Sequence, residues 1–321
     1  MSRGAAGLPD TTSLAEGLAA VFGVAVGEVV VLDRQPNERA STFLSEFVSC
    51  RLPDGRRLEL FCKYGEDGID GRYGHRGDAA YEAGVYRCLR RAGWSGVPVF
   101  HGAFADPAGG RTWLVLERLR AGRVQEQEDP ARAMRAAAAW IGRLHAASPV
   151  PRAAAGGVRL IRHTRAYYEG WIRRTIAFAA PLDTRHRWLP ELGRRAGTLI
   201  APLLEAPRVF IHGEFYPHNL LFRGDAVFAV DWQSAALGAG VLDLAALTER
   251  WPADVVAACE REYCRARWPD GAPASFAPAL EAARLHWLFR WLGDRPEWTL
   301  AERSRWRCQE LERTMARLGS A

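Results

Sequence analysis

A short strand-rich segment, residues 208–231, lies within an otherwise helical half of the chain and carries three polar side chains at defined spacings. Glu214 and Asn219 are five residues apart in a loop that contains a proline, and Asp231 follows the next predicted strand. An acid, an amide and a second acid around one hairpin indicate a shared chemical role. This segment constrains the fold more strongly than any other part of the sequence.

The three residue types suit phosphoryl transfer. That reaction needs a group that orients and deprotonates the attacking hydroxyl, and it needs oxygen ligands for the Mg²⁺ that bridges the phosphates. Glu214 is the candidate base, because a tight loop can present its carboxylate to a hydroxyl. Asn219 and Asp231 are the candidate metal ligands, since Mg²⁺ prefers hard oxygen donors. These three residues are therefore candidates for the catalysis of a magnesium-dependent phosphoryl transfer.

One basic residue stands out in the composition. Of the 43 lysine and arginine residues, only Lys63 is lysine. A retained ammonium marks a position that a planar guanidinium cannot occupy, and a tight phosphate site is such a position. Lys63 ends a predicted strand, and alternation along that strand places it on the face opposite Leu58 and Leu60. Lys63 is therefore a candidate phosphate ligand.

The hydrophobic periodicity divides the chain into a strand-rich part and a helical part. A capping-box pattern at 13–16 predicts a first short helix. Five strands and one inserted helix then follow, at about 27–33, 43–51, 57–63, 78–92 (the helix), 97–104 and 112–117. Beyond Arg118 the patterns are mostly helical, from an alanine-rich helix at about 130–147 onward. We predict an α+β fold with an N-terminal nucleotide-binding lobe, residues 1–118, and a C-terminal catalytic and substrate-binding lobe, residues 119–321.

The motifs and their order resemble those of the aminoglycoside phosphotransferase and choline kinase group, a branch of the protein-kinase-like fold. The H-G-D-x-x-x-x-N loop of that group stands here as residues 212–219, with Glu214 in place of the aspartate. Its metal motif appears as residues 231–233, its G-x-x-x-D-L-A segment contains Asp243, and its L-x-x-L-H-A helix end matches residues 141–146. The resemblance implies a two-lobed fold with a small antiparallel β lobe, containing one helix, and a larger helical lobe.

The resemblance also implies the nucleotide contacts. Lys63 is expected to bind the α/β-phosphates, and Glu82 in the inserted helix is expected to hold the lysine. The hinge is expected after the fifth strand, where the backbone of Glu117 and Leu119 pairs with adenine. Two further candidates for phosphate contacts lie in the glycine-free turn between the first two strands: Ser41 and Thr42. His212, within the catalytic loop, and Asp243, in the later segment, are interpreted as groups that hold the backbone of that loop by hydrogen bonds.

Three functions remain open on the sequence alone. The first is an O-phosphotransferase that moves the γ-phosphoryl group of ATP, or of GTP, to a hydroxyl of a small molecule, with Mg²⁺ as the metal. The second is a Ser/Thr kinase of a peptide natural-product pathway, which phosphorylates before dehydration. The third is a nucleotide-binding scaffold without turnover, which the replacement of the family aspartate by Glu214 leaves open.

The charge distribution bears on the partner. The net charge is +6, but the arginines are scattered among acids and no basic run of five residues occurs, which argues against nucleic-acid binding. Residues 151–321 carry a net charge of about +5. Four arginines lie close together in this part of the sequence: Arg162, Arg165, Arg173 and Arg174. These features favour a neutral or anionic acceptor over a polycationic one.

The remaining composition indicates a cytoplasmic protein without membrane contact. No window approaches the ~20 apolar residues of a spanning helix. Asp10 and Glu16 interrupt the apolar core that an export signal would need. The six cysteines show no CxxC spacing and are typical of reduced thiols.

Overall fold

The computed structural model describes residues 7–38, 43–66, 76–107, 110–147, 158–180, 189–299 and 301–319. Over these residues the chain forms two compact units. The first unit comprises Met1–Arg123, Pro149–Arg159 and Asn219–Ser234; the second comprises Val124–Ser148, Leu160–His218 and Ala235–Ala321. Glu214 thus belongs to the second unit, whereas Asn219 and Asp231 belong to the first. The single division of the chain after Arg118 stays a prediction of the sequence.

The first unit is built on a five-stranded antiparallel sheet of order β1-β2-β3-β5-β4. Its strands are β1 (Val30–Pro36), β2 (Leu44–Arg51), β3 (Arg57–Glu66), β4 (Phe100–Asp106) and β5 (Arg111–Glu117). Two helices belong to the same unit, α1 (Thr11–Phe22) and α2 (Ala79–Arg91). The predicted antiparallel sheet, with a helix between its third and fourth strands, is confirmed.

The core of this sheet lies between α1 and the strands. Leu14, Leu18, Leu60 and Trp113 are buried together there. Gly17 allows the close approach, because a Cβ at that position would lie 2.3 Å from the Trp113 ring.

The predicted capping box is misplaced by a few residues. The helix begins at Thr11, and the cap is Asp10, whose carboxylate accepts a hydrogen bond from the Ser13 backbone N–H at 2.9 Å.

A second, three-stranded sheet in the first unit has the order β10-β9-β6. Its strands are β6 (Gly122–Arg123), β9 (Leu220–Arg223) and β10 (Ala226–Ala229). Strands β9 and β10 form an antiparallel hairpin, and the Val230 N–H extends it by donating to the Asn219 carbonyl at 3.0 Å. Asn219 and Asp231 therefore flank the open end of one hairpin.

The second unit is mostly helical. Its helices are α3 (Pro130–Ala147), α4 (Arg165–Ala179), α5 (Leu189–Glu205), α6 (Val241–Leu247), α7 (Ala253–Arg267), α8 (Phe276–Leu292), α9 (Pro296–Thr299) and α10 (Arg305–Gly319). A small sheet of order β7-β11-β8 joins β7 (Ile161–Arg162), β11 (Ala236–Ala239) and β8 (Arg208–Ile211). In the part of the chain that the structure describes, none of the helices combines the length and apolarity needed to cross a bilayer.

Candidate active site

Lys63 lies at the centre of an ion cluster in the first unit, between the buried Glu82 and the partly exposed Asp231. Its Nζ atom is 2.7 Å from Glu82 Oε2 and 2.7 Å from Asp231 Oδ1. Lys63 is 8% exposed and Glu82 is 1% exposed. The other carboxylate oxygen of Glu82 accepts the Trp232 backbone N–H at 3.1 Å. Glu82 thus binds both the Lys63 ammonium and the backbone of the residue that follows Asp231. The structure therefore brings together three site residues that were predicted from separate parts of the sequence.

The electrostatics of the cluster keep Lys63 charged. Burial by itself lowers the pKa of Lys63, but the carboxylates of Asp231 and Glu82 outweigh it and raise that pKa above its ordinary value. Burial raises the pKa of Glu82, and the Lys63 ammonium opposes this rise. At neutral pH Lys63 is therefore a fixed positive charge, which is what a phosphate ligand requires.

Asp231 has a backbone conformation that the sequence does not reveal. Its φ of 67° lies in the left-handed region, which costs a residue other than glycine about 1–2 kcal/mol. Such strain persists where the surroundings fix a residue for function. Here Lys63 and the side-chain amide of Gln233 both donate to Asp231 Oδ1, the latter at 3.0 Å. The fold therefore holds this carboxylate in one defined orientation.

The residues around Asp231 fit a divalent metal ion. Asn219 is 8% exposed and sits beside Asp231 at the open end of the hairpin. Gln233 Oε1 is buried and has no hydrogen-bond partner among the described residues. A buried oxygen without a donor, next to a carboxylate, is a natural cation ligand. Carboxylate and amide oxygens are also the hard donors that Mg²⁺ takes.

The other predicted nucleotide contacts stay predictions. Glu117 ends β5, and its backbone N–H donates to the Val99 carbonyl at 2.9 Å. Because that N–H is already hydrogen-bonded within the unit, only the carbonyl oxygen of Glu117 remains as the backbone group that would contact adenine. Leu119 follows two residues later and is half-buried. Ser41 and Thr42 lie outside the described residues.

In the second unit, Glu214 has a buried cation as its partner. Arg290 Nη2 on α8 is 2.5 Å from Glu214 Oε1, and the two side chains are 5% and 7% exposed. The Arg290 guanidinium also lies 3.8 Å from Asp294 and over the ring of Trp171. An aspartate carboxylate at position 214 would end one methylene earlier, so the longer acid matches this arginine. Sequence analysis missed Arg290, which is 76 residues away from Glu214.

The backbone before Glu214 is braced from α6. The two oxygens of Asp243 accept the N–H groups of His212 and Gly213, at 2.7 and 2.9 Å. Gly213 has a φ of 83°, a left-handed conformation that glycine adopts without strain, which explains why the motif has glycine at this position. His212 Nδ1 accepts the Glu214 N–H at 3.3 Å. His212 and Asp243 thus act as the bracing groups that the sequence predicts.

A chain of buried hydrogen bonds fixes Asp243 in turn. His145 Nε2 is 3.1 Å from Asp243 Oδ2, and a carboxylate only accepts, so Nε2 carries the proton. His145 Nδ1 accepts from the Tyr263 hydroxyl at 2.9 Å, and Arg267 donates to that hydroxyl. Burial lowers the pKa of His145, against the effect of Asp243. Gly240 leaves room for this chain, because a Cβ there would lie 2.7 Å from His145 Nδ1.

Comparison with known proteins identifies relatives over most of the chain. The model of the phosphotransferase enzyme family (APH) matches residues 70–286, about two thirds of the chain. The N-acetylmuramate/N-acetylglucosamine kinase of Pseudomonas aeruginosa is 29% identical over 132 residues. That segment covers 39% of this chain and 38% of the kinase, so the match spans well under two thirds of the curated relative.

Solved structures are similar over nearly the whole chain. The GDP complex of wild-type aminoglycoside 2′-phosphotransferase IIIa has a TM-score of 0.63 at 13% identity, covering 96% of this chain and 99% of that one. Amicoumacin kinase, solved with AMP-PNP and Ca²⁺, has a TM-score of 0.56 at 12% identity, covering 96% and 92%. These similarities confirm the protein-kinase-like fold. Together with the family match over residues 70–286, they show that the chain belongs to the phosphotransferase enzyme family.

Proposed function

We propose that the protein is a kinase that transfers the γ-phosphoryl group of ATP, bound with Mg²⁺, to a hydroxyl of a small molecule. The observation that carries this proposal is the ion cluster of Lys63, Glu82 and Asp231 in a member of a phosphotransferase family. A fixed ammonium and a strained, oriented carboxylate are the two groups that hold a magnesium-bound polyphosphate. The solved relatives with GDP and with AMP-PNP and Ca²⁺ support a nucleotide and a divalent ion.

Each side chain has a role in this proposal. Lys63 binds the α/β-phosphates, and Glu82 keeps its ammonium in place. Asp231 and Asn219 are the metal ligands; the ion, when bound, neutralises charge on the phosphates. Glu214 orients the acceptor hydroxyl and takes its proton, while Arg290 keeps the carboxylate in one position.

The names of the relatives support a sugar-like acceptor, since one acts on N-acetylmuramate and N-acetylglucosamine and another is an aminoglycoside phosphotransferase. Of the arginines that the sequence singles out on α4, Arg174 is engaged within the protein, because it donates to the carbonyls of residues 293 and 294. Arg165 and Arg173 are exposed, and their guanidinium groups lie 3.6 and 3.7 Å from Glu169. These two exposed arginines and the net charge of this part of the chain support a neutral or anionic acceptor.

Transfer of labelled phosphate tests the proposal. The purified protein is incubated with Mg²⁺ and γ-labelled ATP or GTP, and with N-acetylmuramate, N-acetylglucosamine, aminoglycosides and serine-containing peptides as separate acceptors. We expect label on at least one small molecule and a preference for ATP. Label on peptides alone would support the peptide kinase instead. Stabilisation by Mg·ATP without label on any acceptor, or on water, would contradict the proposed activity and support a scaffold.

Replacing Lys63 with arginine is expected to lower kcat/KM for ATP by at least about 30-fold, or 2 kcal/mol. The charge is conserved, but the guanidinium is larger and planar and does not fit between Glu82 and Asp231. The matched control is Arg91→Lys at the exposed end of α2, which should leave kcat/KM unchanged. Steady-state kinetics with varied ATP measure the effect. Full activity in Lys63→Arg would refute the role assigned to this ammonium.

A further inference from the structure

Arg307, on α10 in the second unit, is a partly satisfied cation between two indole rings. Its guanidinium carbon lies 4.6 Å from the centre of the Trp291 ring and 4.4 Å from that of Trp306. The side chain is only 13% exposed. Its Nε atom is buried and has no hydrogen-bond partner among the described residues. A buried guanidinium with an unused N–H is a site where an anion gains a charge-assisted hydrogen bond.

The neighbouring acid compensates this cation poorly. Glu249 Oε2 is 3.6 Å from Arg307 Nη2, beyond ordinary hydrogen-bond distance. Burial lowers the pKa of Arg307, and the Glu249 carboxylate only partly offsets that. Burial likewise raises the pKa of Glu249. The pair is therefore a loose one that a further carboxylate can complement.

Arg250 adds a second cation to the same cluster. Its guanidinium carbon lies 5.0 Å from the centre of the Trp306 ring, on a side chain that is exposed. Its φ of 61° is in the left-handed region, where residues other than glycine and asparagine are strained. Strain of this kind gathers at ligand sites. Two arginines and Glu249 leave one net positive charge, which suits a monoanion better than a phosphate dianion.

This cluster is connected to the loop that carries Glu214. Trp291 Nε1 donates to the Tyr216 hydroxyl at 2.8 Å, and Tyr216 lies two residues after Glu214. The ring of His218 stacks on Tyr216 at 5.3 Å between centroids, and the His218 side chain is exposed. A continuous path of contacts in the second unit therefore connects the two arginines and the indoles to the loop that carries Glu214.

We propose that Arg307 and Arg250 bind a carboxylate of the acceptor, with the indoles of Trp291 and Trp306 against the ring that bears it. This inference rests on the proposed function and narrows it to hydroxy acids with a flat or sugar ring. Arginine pairs with carboxylates through directed N–H groups, and the indole surface that the guanidinium groups leave uncovered packs against rings at small entropic cost. Neither feature is visible in the sequence as a motif.

Matched acids and neutral counterparts test the subsite in the presence of ADP and Mg²⁺. The probe pairs are N-acetylmuramate with N-acetylglucosamine, glucuronate with glucose, and indole-3-lactate with its amide. Calorimetry is expected to show at least one acid binding at least about tenfold more tightly than its counterpart. In Arg307→Met this preference should fall below about twofold, with ADP affinity unchanged. If no acid binds better than its neutral partner, or if the preference survives Arg307→Met, the subsite assignment is wrong.

Two further variants separate binding from folding. Arg305→Met removes an exposed arginine of the same helix, which pairs with Glu302 at 3.0 Å, and should keep the preference for acids. Arg250→Gly removes a guanidinium and relieves the strained backbone, so its melting temperature should equal or exceed that of the wild type while the preference for acids falls at least about threefold. A melting temperature that falls together with the preference would point to a structural role for Arg250 and overturn its place in the subsite.

The two proposals fail in different ways. Binding of an acid that depends on Arg307, without phosphate transfer to any acceptor, would overturn the kinase function and keep the carboxylate subsite. Transfer to neutral acceptors with a kcat/KM that Arg307→Met leaves unchanged would keep the function and overturn the subsite.

Discussion

Turnover is expected to fall by at least about 10³-fold when Asp231 is replaced by alanine, a loss of about 4 kcal/mol in transition-state stabilisation. Among the described carboxylates of the first unit, Asp231 is the one that the fold both strains and orients, through a φ of 67° and two donors to Oδ1. Without it, the proposed metal site keeps no carboxylate ligand and only the neutral oxygen of Asn219. Initial rates of phosphate transfer at several Mg²⁺ concentrations measure the effect.

The control for this prediction lies in the same hairpin. Asp225 is exposed in the turn between β9 and β10, so Asp225→Ala should keep the wild-type rate. Asp231→Gly distinguishes the loss of the carboxylate from an effect on the backbone. Glycine lacks the carboxylate but adopts the left-handed conformation at little cost, so this variant should be at least as stable as Asp231→Ala and equally inactive. Activity of Asp231→Ala within about tenfold of the wild type would contradict the assignment as a metal ligand.

The sequence predicted the part of the site that depends on motif and composition. The single lysine, Lys63, and the acid of the inserted helix, Glu82, were assigned to one cluster, and the structure places them 2.7 Å apart. The reason is that a strand and a helix next to it in the chain have few ways to pack. The prediction that Asp243 braces the loop is also confirmed. Its carboxylate accepts the backbone N–H groups of His212 and Gly213, and both the acid and these two residues belong to recognisable motifs.

The sequence did not predict contacts that depend on how distant helices pack. Arg290 and Arg307 are two of 42 arginines, and no local pattern distinguishes them from solvated ones. Their positions follow from the packing of α8 against Glu214 and Tyr216 and from the packing of Arg307 on Trp291 of α8. In the arginine cluster that the sequence singles out, Arg174 donates to backbone carbonyls of the unit, whereas Arg165 and Arg173 stay exposed. Sequence proximity alone therefore did not distinguish the arginine used in packing from those that face solvent.

Replacing Arg290 with methionine is expected to lower the free energy of unfolding by about 3–5 kcal/mol, because it leaves a buried carboxylate without its cation. Arg290 is 5% exposed and is bound by Glu214, with Asp294 nearby. Urea denaturation at 25 °C measures the change. The control is Arg284→Met on the same helix, whose ion pairs with Glu260 and Glu281 are partly exposed to solvent. Loss of a surface pair should cost no more than about 1 kcal/mol.

A double-mutant cycle decides whether Glu214 is the group that Arg290 neutralises. Glu214→Gln removes the charge with little change in shape, so Glu214→Gln/Arg290→Met should be more stable than Arg290→Met alone, with a coupling energy of about 1–3 kcal/mol. Additive losses in the cycle would mean that Arg290 stabilises the unit by packing on Trp171, and that the carboxylate at position 214 is held by other contacts. Coupling, by contrast, would show why this chain carries the longer acid. The buried arginine on α8 requires a carboxylate that reaches it, and in the proposed mechanism that same carboxylate must also face the acceptor hydroxyl.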